Sequence, residues 1–134
     1  MTLLGERKKQ REKIFFYFYS VDKKTVLSVD KNDFEKLILY KSQKEYALTL
    51  LNAVEKHHDD IDDIIKKYLK NWKFERIGDI QRAILRLAIA EILYLNDIDE
   101  AVSINEAVNL TKKYSDENKA KFVNGILGKI VKNE

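Results

Sequence analysis

The chain has 134 residues, 45% of them hydrophobic and 35% charged, and no cysteine. That balance describes one globular domain with a core of its own; it excludes a disordered chain, a disulfide scaffold and thiolate chemistry. The net charge is only +3, yet of the 25 basic and 22 acidic residues, five and two fall within residues 1–13, leaving 20 of each sign elsewhere; the excess therefore sits at one end, where it makes a local anion-binding patch.

Proline is absent and glycine occurs four times, so the chain should be nearly all helix joined by short polar turns. Apolar runs such as Ile14 to Tyr19 are too short to span a bilayer. The charged stretch Glu6 to Lys9 is not followed by the apolar segment of a signal peptide. A cytoplasmic protein with no membrane partner is the expectation.

The first helix is expected from about Arg7 to Ser20, basic in its first half and aromatic in its second, with Ile14, Phe18 and Val21 recurring at helical spacing. Asp22-Lys23-Lys24 reads as a polar connection. A short helix should follow to Tyr40, capped by Asp30, Asn32 or Asp33. Ser42-Gln43-Lys44-Glu45 has the pattern of a capping box, opening a helix with Tyr46, Leu50, Val54 and His57 on one face. The run Asp59-Asp60-Ile61-Asp62-Asp63 resembles the acidic first turn of another helix, with Ile61, Ile64, Ile65, Tyr68 and Leu69 as its buried stripe. Phe74 to Gly78 reads as a turn. The helix from about Asp79 to Leu95 is the most apolar and should be central. Ser103 to Glu106 has the pattern of a second capping box, starting a helix through Lys113. Ser115-Asp116 caps the last helix, with Phe122, Val123, Ile126, Leu127 and Ile130 facing inward. The fold class is thus all-α with about seven helices and no internal repeat.

Little of this supports catalysis. Gly5, Gly78, Gly125 and Gly128 form neither a dinucleotide fingerprint nor a phosphate loop, no nucleophile elbow occurs, and no catalytic residue is assigned. On a helix His58 and Asp62 would be one turn apart, a candidate metal pair. The adjacent His57 points about 100° away and cannot easily share an ion with His58. No metal and no cofactor are expected.

Three segments carry more information. Ile80 to Ala88 reads IQRAILRLA, Ile104 to Val108 reads INEAV, and Lys121 to Leu127 reads KFVNGIL. In this order and spacing, after an opening Arg7-Lys8-Lys9-Gln10-Arg11-Glu12, they resemble the NusB family over nearly the whole chain. The resemblance implies one domain, residues 1–134, of seven helices in two packed halves (about 1–71 and 72–134). It also implies a role. Proteins of that family pair with the small-subunit ribosomal protein NusE, bind boxA RNA in nascent transcripts, and join the RNA polymerase antitermination complex on ribosomal RNA operons.

Single-stranded RNA is held by cations on phosphates and aromatic rings on splayed bases. The basic opening offers Arg7, Lys8, Lys9 and Arg11, placed where positive charge opposes the helix dipole. A second cluster surrounds the turn before the last helix: Lys113 and Tyr114, then Asn118, Lys121 and Phe122, with Lys112 and Lys119 beside them. By the resemblance this turn lies against the first helix. Tyr19, Glu75, Arg76 and Gln81 are the candidates for contact with the protein partner. Arg82 and Arg86 belong to the scaffold; Arg86, beside an apolar stripe, needs a carboxylate, with Glu91 or Glu106 expected to supply it. Gly125 should allow a close helix approach, with Asn124 bonding across it. The chain departs from the family at Gln10, where alanine is common, and at Phe16, where a glutamine would offer RNA a polar side chain. Three alternatives remain: the NusB-like domain of a ribosomal RNA cytosine methyltransferase, for which this chain would be a fragment; a structural helical protein that forms a homodimer through its aromatic face; and an acidic metal site around His57 to Asp63.

Overall fold

In a computed structural model, residues 2–22, 34–70 and 72–134 are described. They form five α-helices: α1 (Leu3–Asp22), α2 (Lys44–Tyr68), α3 (Asp79–Tyr94), α4 (Glu100–Tyr114) and α5 (Glu117–Asn133). Short 3₁₀ turns occupy Glu35–Leu37, Lys41–Gln43 and Phe74–Arg76. The expected connection at Lys23-Lys24 and the expected caps Asp30, Asn32 and Asp33 lie outside the described residues.

Helix α3 is central, as its apolar sequence predicts. Ile84, Leu85, Leu87, Ala88, Ile89 and Ala90 are all at most 1% exposed, and α1, α2, α4 and α5 each pack on it. Each large side chain so buried contributes about 1.5–3 kcal/mol. Ile14 and Phe18 hold α1 in this core, and Leu50, Val54, Ile61 and Ile65 hold α2.

Among the described residues two of the expected helices are one, because the local signals around His57 yield to a tertiary contact. The segments expected as separate helices before and after His58 are one element, α2, bent where His57 leaves helical geometry (φ −111°, ψ 18°). The His57 ring stacks on Tyr94 of α3, 3.8 Å between centroids and 6° from parallel, which fixes the bend while the helix continues. The segment expected as a short helix before Tyr40 begins outside the described residues; its described part has Phe34 in helical geometry, then the turn Glu35–Leu37.

Neither capping box forms. Gln43 is the residue before α2 and makes no side-chain cap; the Ser42 hydroxyl donates to Glu6 of α1 instead. Ser103 lies inside α4, which begins earlier with Asp99 accepting from the Ala101 N–H at 2.8 Å. The Ser103 hydroxyl donates to Glu91 Oε1 at 3.0 Å. A buried carboxylate needs donors more than an exposed helix end needs a second cap. Asp116 caps α5 as expected, accepting from the Lys119 N–H at 2.8 Å.

Glu91 is fully buried and gathers four hydrogen bonds. Arg11 of α1 donates two, at 2.6 and 3.0 Å, and Tyr46 of α2 donates a third at 2.7 Å; Ser103 supplies the fourth. Four helices thus meet on one carboxylate. Arg86 does not reach it. Glu91 is five residues on, about 140° around the helix, and Arg86 pairs with Asp62 of α2 at 2.8 and 3.0 Å. Glu106 stands 3.9 Å from Arg11. The departure at Gln10 also has a structural use: its buried amide donates to the Leu37 carbonyl and accepts from the Leu39 N–H, both at 2.8 Å. Gly125 is not a point of close approach, since a Cβ there would meet nothing within 4 Å, and Asn124 is exposed.

Candidate nucleic-acid interface

The basic opening divides by burial. Lys8 and Lys9 are exposed. Arg7 is half-buried, its Nε donating to the Gln43 side chain and its guanidinium 4.1 Å from the centre of the Tyr46 ring. Arg11, expected at the RNA surface, is 3% exposed and holds Glu91. Burial alone would lower its pKa, but Tyr46, Glu91 and Glu106 outweigh burial and raise it, so the charge is fixed. Burial and the Glu91 carboxylate push the Tyr46 hydroxyl well above its usual pKa.

The end of α4 meets α1 as the family resemblance implies. Lys113 Nζ lies 3.1 Å from both oxygens of Glu12, and the Tyr114 hydroxyl donates to the same carboxylate. That hydrogen bond to Glu12, then the one with Tyr114, raise the Lys113 pKa and keep it charged. Phe15 and Phe16 pack 5.5 and 5.0 Å from the Tyr114 ring. Phe16 is 44% exposed, so an open aromatic edge stands beside Lys113 at the position where the family's polar side chain is missing.

Around the start of α5, Asn118 and Lys121 are exposed and Phe122 is half-buried. A cleft of about 390 Å³ is lined by Asn118, Lys119 and Phe122 together with Arg76, Gln81 and Trp72. Residues assigned from sequence to RNA and to the protein partner therefore share one cavity. Gln81 forms its floor, 7% exposed, with its side chain folded against Gly78, where a Cβ would collide with it. Glu75 and Tyr19 do not line this cleft; Tyr19 belongs to the aromatic row of α1, 6.3 Å from Phe15. Sequence reasoning assigned no role to Trp72, which is 61% exposed and meets the Phe122 ring edge-on at 6.1 Å. An isolated tryptophan in a lysine-rich stretch was the available signal.

His58 Nε2 lies 3.4 Å from Asp62, but Arg86 already holds that carboxylate with two bonds. Among the described residues no three metal-ligating side chains gather at one place, and no helix is long and apolar enough to cross a membrane.

Comparison with known proteins agrees with the motifs. Residues 8–132 match the model of a family described as the NusB family. The transcription antitermination protein NusB of a Nitratiruptor species is 38% identical over 131 residues, 96% of this chain and 94% of that protein. The protein of the same name from Dictyoglomus turgidum is 41% identical over 128 residues, 96% and 85% of the two chains. Among solved structures, T. maritima NusB superposes with a TM-score of 0.85 at 32% identity, covering 96% of this chain and 92% of that one. A chain from the crystal structure of the antitermination factors NusB and NusE in complex with dsRNA superposes at 0.81 with 33% identity, covering 98% and 100%.

Proposed function

The chain belongs to the NusB family, and from that premise we propose that it is an RNA-binding transcription antitermination factor. It binds boxA-type RNA together with NusE, and the resulting complex helps RNA polymerase pass terminators on ribosomal RNA operons. It acts by binding, not by catalysis.

The observation that carries the reading is the exposed cation and aromatic arrangement where α4 meets α1. Lys8, Lys9 and Lys113 supply phosphate contacts, and the Phe16 and Tyr114 rings beside them supply stacking faces. Asn118, Lys121 and Phe122 extend the RNA contacts onto α5. Arg11 is left out of them, because its charge is neutralised in the core by Glu91. Tyr19, Glu75, Arg76 and Gln81 remain the positions proposed for NusE.

The test is fluorescence anisotropy of a labelled boxA RNA, with a scrambled strand and a duplex as controls, with and without NusE, at two salt concentrations. Preference for boxA that tightens with NusE and weakens as salt rises is the expected result. Equal binding to all three nucleic acids and indifference to NusE would overturn the reading.

A further inference from the structure

We propose that Trp72, with Phe122, forms a base-stacking subsite that takes one unstacked nucleobase of single-stranded RNA. The proposal rests on the RNA-binding reading and extends it to a residue outside the basic opening. Its first support is exposure. Trp72 is 61% open to solvent, although tryptophan is among the side chains that gain most from burial. Its described ring partner is Phe122, met edge-on, which leaves a face of the Trp72 ring available.

The second support is the chemistry around the pair. Trp72 and Phe122 line two adjoining clefts, of about 390 and 320 Å³. Arg76 and Lys119 line the first; Lys70, Lys121 and Lys129 line the second. Among the described residues no carboxylate lines either cleft. Lys119 has Asp116 at 3.7 Å, while Lys70, Arg76, Lys121 and Lys129 form no ion pair among the described residues. In a chain whose net charge is only +3, five cations around two rings match a ligand that alternates phosphates with flat bases. Asn118, at the same cleft, offers a donor and an acceptor to a base edge.

Trp72 is the only tryptophan in the chain, so its emission reports on this subsite directly. The full-length protein is titrated with unlabelled boxA RNA while tryptophan emission is followed. Anisotropy of a labelled strand is measured in parallel, with and without a tryptophan-free NusE. The expected result is quenching whose midpoint coincides with the anisotropy midpoint. Trp72→Leu should weaken RNA binding about tenfold, and Trp72→Phe, which keeps a ring, should retain most of it. RNA binding with unchanged emission, and with Trp72→Leu as tight as the parent, overturns the subsite and leaves the RNA reading standing. Because Arg76 and Gln81 share this cleft, NusE alone can shift the emission; quenching by NusE alone with no further change when RNA is added makes Trp72 a protein contact and overturns the subsite. Absence of RNA binding by both probes overturns the subsite and the reading together.

Discussion

Lys8 and Arg11 stand one turn apart on α1 and line the same small cleft beside Glu106 and Lys113, yet they do different work. Lys8 is open to solvent. Arg11 is 3% exposed and locked on Glu91. The same contrast recurs across the molecule, between the buried charges that join helices and the exposed charges that face a polyanion. A basic residue near the N-terminus is therefore no evidence of RNA contact until its acid, if it has one, is located. A buried pair is costly to break and contributes nothing to ligand binding; an exposed cation costs the fold almost nothing to remove and is felt by the ligand.

The sharpest way to break this comparison is Glu91→Ala. It leaves the buried Arg11 charge with only Glu106, at 3.9 Å, and Tyr46 and Ser103 without their acceptor, so a loss of about 3–5 kcal/mol is expected, read as the shift of the urea unfolding midpoint. A loss under about 1 kcal/mol would mean that water reaches the network and that Arg11 is not a core residue. Asp62→Ala removes the two bonds that Arg86 makes to Asp62, at a site closer to the surface where Asp62 has 12% side-chain exposure; about 2–3 kcal/mol is expected.

Tyr46→Phe should cost about 1.5–3 kcal/mol by removing one bond to a charged acceptor. That advantage is pH-dependent. The folded Tyr46 pKa lies above the unfolded value of about 10. The hydroxyl's contribution is therefore complete below pH about 10 and is lost as pH rises toward the folded pKa. Unfolding of parent and variant followed from pH about 8 to about 11 should show the gap closing only at the alkaline end. A gap constant across that range would show that the hydroxyl is not buried against Glu91.

At the other extreme, Lys8→Ala with Lys9→Ala should change stability by less than about 0.5 kcal/mol. The same double variant should weaken RNA binding and flatten its salt dependence by about 1.4 in log–log slope, for two phosphates on a single strand. An unchanged slope would remove both lysines from the interface.

Much of the scaffold could be read from the chain alone. The apolar period of α3, the Asp116 cap and the inward faces of α1 and α5 all follow from spacing, because a helix repeats its buried face every three to four residues whatever it packs against. The motif residues around Arg82, Asn105 and Phe122 carried the family. Composition likewise located the excess of positive charge.

Only the tertiary structure decided which of those charges are free. Arg11 and Glu91 are 80 residues apart, and nothing local in either segment announces the other. The same long-range demand drew Ser42 and Ser103 out of their expected caps, gave Arg86 to Asp62, and bent α2 at His57 onto Tyr94. It also set Trp72 beside Phe122 among lysines. Periodicity reports the direction in which a side chain points; the identity of the group it meets there depends on how distant helices cross, and that is settled only when the core closes.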